Sequence, residues 1–404
     1  MTANPSSSTS HPSYLLKEIT PRNLLSFGPG AQPIALEQLN VLIGPNGSGK
    51  SNLIEAVALL CATPLRTPLD DLHAVIRRGG GVSEWIWKGT PKEAASLDVV
   101  VHNPHGTQRL RHVLAFRAEN QAFRLDDERI ENDLPYKGNS EPYFYYHYRQ
   151  GRPILNVKGE ERRLAQEVVE SDASILAQRR DPEAYPEVSY LASAYEKIRV
   201  YREWTFGRNT VFREPQKADM RNDRLEEDFS NLGLFLNRLR RTPKVKSAVL
   251  EALQDLYEDF SDFDVSVEGG TVQVFFTEGD FTIPATRLSD GTLRYLCLLA
   301  ILCDPNPPPL ICIEEPELGL HPDILPKVAD LLISAAARTQ LIVTTHSDIL
   351  VDAMTDRPEA VLVCEKHAGQ TVMRRLDEKS LALWLEKYRL GELWTRGELG
   401  GTRW

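Results

Sequence analysis

The strongest constraint on the fold is the stretch VLIGPNGSGKSN, residues 41–52. Three apolar residues suited to a buried strand run into Gly44, and the pattern is completed by Gly49-Lys50-Ser51. A strand, a glycine-rich turn and a helix start are typical of a phosphate-binding loop (P-loop), because glycines let backbone N–H groups approach phosphate oxygens. The helix former LIEAVALL follows, so the positive end of a helix would face the phosphates. The stretch predicts a nucleotide-binding site.

The residue types of this loop suggest a role for each position. Lys50 would reach the β- and γ-phosphates and belong to the catalytic machinery, and the Ser51 hydroxyl would hold Mg²⁺. We expect the whole loop to contact the nucleotide, through Gly44, Pro45, Asn46, Gly47, Ser48, Gly49, Lys50, Ser51 and Asn52.

Composition excludes several classes of protein. The 404 residues are 42% hydrophobic and 26% charged, as in ordinary globular proteins. No apolar run approaches the length of a membrane span, and the N-terminus lacks a basic-then-apolar signal sequence, so we expect no membrane association. Five cysteines without a CxxC pair disfavour zinc and disulfide frameworks and favour a cytoplasmic location. With a net charge of −10, nucleic-acid binding would need a local basic patch.

Patterning along the chain predicts five parts. Residues 1–13 are rich in Ser, Thr and Pro and predict a disordered tail. Residues 14–158 hold the P-loop and alternating segments of an antiparallel sheet, whereas residues 159–260 have a mostly helical pattern. Strands and a second group of motifs return in residues 261–364, and residues 365–404 form a C-terminal extension.

Two stretches leave a choice between function and packing. The aromatic run at residues 136–150 would stack on nucleic-acid bases or, more commonly, pack in a core. The basic cluster Arg238, Arg240 and Arg241 is a candidate phosphate-contact patch, but a solvated helix face is the favoured interpretation.

Three motifs in residues 261–364 carry chemistry. LSDGT at 288–292 precedes an apolar helix, LICI runs into Glu314-Glu315, and LIVTT runs into His346. A carboxylate ending a buried strand beside a P-loop can bind Mg²⁺, and a second one beside it can deprotonate the attacking water. We therefore assign Glu314 to the metal and Glu315 to the water, and expect His346 to contact the γ-phosphate.

Together, GPNGSGKSN, LSDGTLRYL, LICIEEPELGLHP and VTTHSDIL resemble the motifs of the ATPase heads of the SMC/RecF/OLD branch of ABC-type ATPases. The resemblance extends from about residue 14 to about residue 364. It implies an α/β P-loop NTPase fold, a bilobed ABC-type head with an added antiparallel β segment and a helical lobe. The sequence has no long heptad repeat, so we expect no long coiled coil. It also implies ATP and Mg²⁺ as cofactors, and a homodimer that forms head-to-tail around ATP.

The resemblance carries further residue roles. Ser289, Asp290 and Gly291 of one copy would cap the γ-phosphate bound by the P-loop of the other, and a D-loop would lie around residues 318–321. Gln178 matches a Q-loop by position and would be a metal ligand. The turn reads SDG where transporters usually have SGG, and Glu314 stands where many members carry Asp. Both differences favour the RecF/OLD side.

The C-terminal extension bears on effectors and partners. Residues 365–404 are too few for the Toprim nuclease domain of OLD proteins, so any nuclease would be a separate chain. Leu381, Trp384, Leu385 and Tyr388 have helical spacing and would pack on their own lobe or dock a partner.

The function expected by analogy is a slow ATPase switch in nucleic-acid surveillance, as the ATPase of an antiphage defence system controlling a separate effector or nuclease. Alternatives are a RecF-like DNA-repair ATPase, or a non-hydrolysing ATP-bound scaffold or antitoxin that sequesters a toxic partner.

Overall fold

The computed structural model describes residues 14–149, 152–157, 160–163, 170, 172–205, 207 and 210–401. The tail predicted for residues 1–13 lies outside this part of the chain. The strands of the described residues are β1 (Leu16–Arg22), β2 (Ile34–Ala35), β3 (Leu39–Ile43), β4 (Ala95–Val101), β5 (Leu110–Glu119), β6 (Ala122–Asn132), β7 (Phe144–Arg149), β8 (Arg152–Val157), β9 (Glu160–Arg163), β10 (Arg199–Tyr201), β11 (Gln216–Lys217), β12 (Phe260–Glu268), β13 (Thr271–Glu278), β14 (Phe281–Pro284), β15 (Leu310–Glu314), β16 (Gln340–Thr344), β17 (Val361–His367) and β18 (Gln370–Arg375).

The α-helices of the same residues are α1 (Lys50–Ala62), α2 (Leu72–Arg78), α3 (Val82–Trp85), α4 (Ile175–Gln178), α5 (Pro186–Lys197), α6 (Leu232–Leu239), α7 (Pro243–Gln254), α8 (Asp290–Leu302), α9 (Leu325–Ala336), α10 (Asp348–Asp352), α11 (Glu378–Leu385) and α12 (Leu390–Thr395). The longest of those described, α1 and α8, have 13 residues each, so the expectation of no long coiled coil is confirmed there. None of the described helices is long and apolar enough to cross a membrane.

The central sheet has the strand order β10-β15-β16-β3-β17-β18. Its neighbours are parallel except β17 and β18, which pair antiparallel. Carboxyl ends of parallel strands meet at one edge of a sheet, where α/β proteins bind ligands. The P-loop after β3, the glutamates after β15 and the histidine loop after β16 therefore share one edge.

Both faces of this sheet are buried, each in its own hydrophobic core. In β3, Val41 and Ile43 belong to one core and Leu42 to the other. The same division separates Ile311 from Cys312 in β15. Because successive side chains point to opposite faces, such continuous apolar strands indicate a sheet covered on both sides. The P-loop edge is consequently held between two packed layers.

The added antiparallel β segment predicted from the sequence is confirmed. Its strand order is β2-β1-β4-β5-β6-β7-β8-β9, and every neighbouring pair is antiparallel. The aromatic run ends in β7, where Tyr146 is 1% exposed and Tyr148 is 6% exposed. These two rings pack in the core and are not available to stack on bases.

A smaller sheet and short helices cover the core that contains Val41 and Ile43. β13 pairs with β12 along one side and with β11 and β14 along the other, while α6 and α7 contact β12. Residues 159–260 contain α4 to α7, and their described part also contains β9 to β11. The five-part division of the chain stays a prediction.

Candidate active site

The P-loop takes a backbone path that only glycine follows without strain. Gly44 has φ 146° and Gly49 has φ 104°. A Cβ on Gly44 would lie 2.2 Å from the carbonyl oxygen of Cys364, and one on Gly49 would lie 2.1 Å from the Thr371 hydroxyl oxygen. Gly49 is the N-cap of α1, so the free N–H groups of the first helical turn open at the loop. This geometry fits a phosphate cradle.

Lys50 is the cation at the centre of the loop. Its side chain is buried, and its ammonium donates to the carbonyl oxygens of Gly44 at 2.7 Å and Pro45 at 3.3 Å. Burial lowers the pKa of Lys50, against the field of nearby carboxylates. These carboxylates belong to Glu314, Glu315 and Glu317. The structure therefore brings the predicted lysine and glutamates together.

Two residues outside the predicted motifs, Ser26 and Thr371, hold the loop in place through hydrogen bonds. Asn52 donates a 2.6 Å hydrogen bond to the Ser26 hydroxyl, which lies 2.6 Å from the Thr371 hydroxyl. Thr371 in turn donates to the carbonyl oxygen of Ser48 at 2.8 Å. Asn52 thus braces the loop. The predicted contacts of residues 44–52 with a nucleotide stay predictions.

Glu314 ends β15 beside the start of α1. Burial raises the pKa of its carboxyl, while the Arg202 guanidinium and the Ser51 hydroxyl hold it down. Its Oε1 is buried and has no hydrogen-bond partner among the described residues. A carboxylate and a hydroxyl at this position are oxygen ligands of the kind that Mg²⁺ prefers. The donor set fits the predicted metal.

Glu315 has a left-handed backbone, which is uncommon for a non-glycine residue. Its φ is 45°, its N–H donates to the Thr344 carbonyl at 3.0 Å, and its own carbonyl accepts from Arg294 at 3.1 Å. Its carboxylate Oε1 lies 3.7 Å from His346 Nε2. A residue held off the usual backbone conformation at a strand end is consistent with a positioned catalytic group.

Trp204 and Arg294 hold the backbone at Glu314 and Glu315 through hydrogen bonds to the carbonyl oxygens. The Trp204 indole N–H donates to the carbonyl oxygen of Glu314 at 2.7 Å, and the Arg294 guanidinium stacks over its ring at 4.5 Å. Burial lowers the pKa of Arg294 to about 10. Trp204 belongs to none of the sequence motifs, whereas Arg294 lies within LSDGTLRYL but has no role predicted from it.

His346 follows β16 and faces the same site. Partial burial lowers its pKa, and the positive charge of Lys50 lowers it further, against Glu315 and Glu317. The imidazole is therefore neutral near pH 7, and its Nε2 can exchange hydrogen bonds with a phosphate oxygen or a water.

Glu317 is a site residue that the sequence reasoning missed. Its Oε1 accepts the Thr345 hydroxyl at 2.8 Å and the His346 backbone N–H at 2.7 Å. Its Oε2 is buried and without a hydrogen-bond partner in the described part of the chain. The available signal was the third carboxylate of EEPE, directly after a buried strand.

The SDG turn lies at the start of α8 on the surface. Ser289 caps the helix by accepting the Thr292 N–H at 3.1 Å, and exposed Asp290 accepts from Arg213 at 2.6 Å. A Cβ on Gly291 would lie 3.1 Å from the carbonyl oxygen of Gly319, so the turn sits against the predicted D-loop. Among the described residues, no hydrogen bond joins this turn to the P-loop of its own chain.

Gln178 uses its side-chain amide within its own segment. It donates to the carbonyl oxygens of Ala173 at 2.7 Å and Glu170 at 3.2 Å, and accepts the Glu170 N–H at 2.9 Å. Its role as a metal ligand stays a prediction, and these contacts do not support it.

The basic cluster is largely neutralised within the chain. Arg238 pairs with Asp304 at 3.0 Å, and Arg240 pairs with Asp264. Arg241 is exposed. A phosphate would have to compete with these carboxylates, so the structure favours the solvated helix face.

The C-terminal extension packs on the ATPase core and reaches the P-loop. In this extension Leu381, Leu385 and Tyr388 are partly buried against the core that contains Val41 and Ile43. Trp384 is 45% exposed. The Gly401 N–H donates to Glu365 at 3.0 Å, and a Cβ on Gly401 would lie 3.4 Å from the Gly44 Cα.

The fold is that of a P-loop ATPase head of the ABC/SMC type. An SmcHead bound to the C-winged helix domain of ScpA superposes with a TM-score of 0.55 and 14% identity, covering 91% of this chain and 99% of that chain. An Smc head domain with an extended coiled coil, bound to the C-terminal domain of ScpA derived from Pyrococcus furiosus, superposes with a TM-score of 0.57 and 12% identity. This match covers 93% of this chain and 99% of that chain. An Smc head domain with a coiled coil and joint derived from Pyrococcus yayanosii superposes with a TM-score of 0.52 and 12% identity, covering 93% of this chain and 99% of that chain. At these identities the likeness shows the fold alone.

The family described as "AAA domain, putative AbiEii toxin, Type IV TA system" matches residues 39–352, and the chain belongs to it. No curated protein matches the chain.

Proposed function

We propose that this protein is a Mg-ATP-dependent ABC-type ATPase that dimerises around ATP and works as a conformational switch. The observation that carries the proposal is the meeting of Lys50, Glu315 and His346 at one edge of the central sheet. Phosphoryl transfer to water uses cations that neutralise phosphate charge and a group that orients the water and takes its proton. A neutral imidazole can add a hydrogen bond to a phosphate oxygen.

Each group has a task in this proposal. Lys50 leaves the carbonyl oxygens of Gly44 and Pro45 to bind phosphate oxygens. Ser51 and Glu314 would hold Mg²⁺, which would neutralise phosphate charge. Glu315 orients the attacking water and takes its proton. His346 forms a hydrogen bond through Nε2 with a γ-phosphate oxygen or with the attacking water.

The second half of the site comes from another copy in this proposal. The Ser289 hydroxyl and the first-turn N–H groups of α8 are suited to binding an anion. The turn lies against Gly319, which follows Leu318, a residue that is 54% exposed. These features support a head-to-tail dimer in which Ser289, Asp290 and Gly291 of one copy cap the nucleotide bound by the other.

The biological role we infer is the ATPase component of an antiphage defence system that controls a separate effector or nuclease in the cytoplasm. The family description, which names a toxin and a type IV toxin–antitoxin system, supports a defence setting. It equally favours one alternative, a non-hydrolysing ATP-bound scaffold or antitoxin that holds a toxic partner.

ATP turnover separates these two functions. The switch predicts Mg-dependent phosphate release that is lost in Lys50→Ala, whereas the scaffold predicts ATP binding without release. Purified protein in a phosphate-release assay, with equilibrium binding of radiolabelled ATP on the same samples, measures both. ATP binding without phosphate release in the unaltered protein would contradict the ATPase switch and support the scaffold function.

A further inference from the structure

A second cavity lies at the opposite end of β15 from Glu314. Its volume is about 420 Å³, within the ~300–1,000 Å³ range of small-molecule sites. Ile311 lines it and Glu314 ends the same strand, so roughly 10 Å of strand separates the two sites at ~3.3 Å per residue. The cavity is therefore not part of the P-loop edge.

The lining carboxylates of this cavity are already compensated. Each has an arginine partner, namely Asp223 with Arg221 at 2.6 Å, Asp304 with Arg238 at 3.0 Å and Glu196 with Arg180 at 3.0 Å. An incoming ligand therefore meets little net negative charge from these three groups.

Arg199 is a buried lining cation that lacks a close counter-charge. It is 7% exposed, and its Nη1 donates to the carbonyl oxygens of Glu196 at 2.9 Å and Ile198 at 2.5 Å. Its Nε has no hydrogen-bond partner, and no carboxylate lies within 4.0 Å of it, among the described residues. Buried Glu227 acts on it only from farther away, and burial raises the pKa of that carboxyl. An unpaired buried guanidinium is costly, and an anion beside it would remove that cost.

Arg224 adds a second guanidinium to the same wall. Its Nε is buried without a hydrogen-bond partner in the described residues, and its nearest carboxylate, that of Glu226, is 3.7 Å away. Burial lowers the pKa of Arg224, and the like charge of Arg199 lowers it further. Two cations that repel each other in the lining of one cavity favour a shared anionic ligand.

Ser193, Lys197 and Asn306 add polar groups to the lining, and most of the remaining wall is apolar. Tyr201, Phe235, Ala300 and Ile311 line the cavity, with prolines 307–309 at one side. We propose that this cavity is a second ligand site, which takes a small molecule bearing a phosphate or carboxylate group on an aromatic or apolar body. Guanidinium groups bind both anions through paired hydrogen bonds, and the apolar wall would hold the body. The site goes beyond the proposed ATPase and does not depend on it.

Calorimetry with phenyl phosphate and with benzoate tests the proposal in the Lys50→Ala protein, which removes the main phosphate-binding group of the P-loop. We expect at least one probe to bind, more tightly than inorganic phosphate, and its identity distinguishes the phosphate class from the carboxylate class. Arg199→Met and the less buried Arg224→Ala should each weaken binding by about tenfold, as expected for a lost charge-assisted hydrogen bond. The second variant keeps the test valid if the first does not fold.

Arg241→Ala is the control, because this exposed arginine does not line the cavity and its loss leaves the compensated carboxylates of the cavity unchanged. Its affinity should stay within about twofold of the parent. The proposal is overturned if neither probe binds, if inorganic phosphate binds as tightly as the better probe, or if Arg224→Ala binds no more weakly than Arg241→Ala.

Discussion

The Glu317 carboxylate accepts the backbone N–H of His346 at 2.7 Å, and the same oxygen accepts the Thr345 hydroxyl at 2.8 Å. This contact joins the segment after β15 to the loop after β16. Because one oxygen fixes both groups, the position of the histidine depends on a glutamate 29 residues earlier in the chain.

Removing this link should destabilise the protein and slow ATP turnover. Glu317→Ala leaves the His346 N–H and the Thr345 hydroxyl without their acceptor, at a cost of about 1–3 kcal/mol in the free energy of unfolding. Urea unfolding and phosphate release measure the two effects. Asp323→Ala is the control, since its side chain is 91% exposed, and it should change the free energy by less than about 0.5 kcal/mol. Equal stability of the two variants would exclude a structural role for Glu317.

Glu315→Gln should retain ATP binding but lose turnover. The amide keeps the size of the side chain and cannot take a proton, so we expect phosphate release to fall by about a hundredfold or more. Comparison with Asp323→Asn controls for the loss of an exposed carboxylate elsewhere in the chain. A Glu315→Gln protein that hydrolyses ATP at the original rate would show that another group is the base.

Gly401 tests the contact between the C-terminal extension and the P-loop. Its φ is 67°, and a Cβ would lie 2.9 Å from Val363 Cγ1. Gly369 has a similar φ of 79° with nothing within 4 Å of an added Cβ, so Gly369→Ala carries the same backbone strain without the clash.

We therefore expect Gly401→Ala to lower the melting temperature more than Gly369→Ala and to weaken ATP affinity several-fold, while Gly369→Ala leaves affinity unchanged. Thermal unfolding and ATP titration check both. Indistinguishable behaviour of the two variants would mean that the extension has no influence on the P-loop.

The pKa of His346 should lie below its ordinary value of 6.5 and rise in Lys50→Met, because the lysine charge is one cause of the shift. A lowered histidine pKa means that the unfolded chain binds more protons. The contribution of this group to stability is therefore complete above pH 6.5 and is lost as the pH falls through the folded value. Titration of the imidazole Cε1–H signal by NMR measures it. An unchanged pKa in Lys50→Met would place the cause in burial alone.

Contiguous motifs made much of the site predictable. Lys50, Glu315 and His346 each end or follow an apolar strand, and parallel pairing brings such ends together. The partners of the P-loop were not predictable, because Ser26 and Thr371 are 345 residues apart and neither belongs to a local pattern.

The ion pairs of the basic cluster were not predictable from the sequence for the same reason. Arg238 and Arg240 look unopposed in sequence, but their carboxylate partners come from residues 66 and 24 positions away. Only the folded chain shows that the two charges are used internally.

The central claim is that two copies clasp ATP between Lys50 of one and Ser289 of the other. Sedimentation velocity of Glu315→Gln, with and without Mg-ATP, tests it directly when repeated on the double variant Glu315→Gln/Ser289→Arg. We predict a dimer only with Mg-ATP, and a monomer that still binds ATP in the double variant. A Glu315→Gln protein that stays monomeric with ATP bound, or a dimer unaffected by Ser289→Arg, would contradict the account.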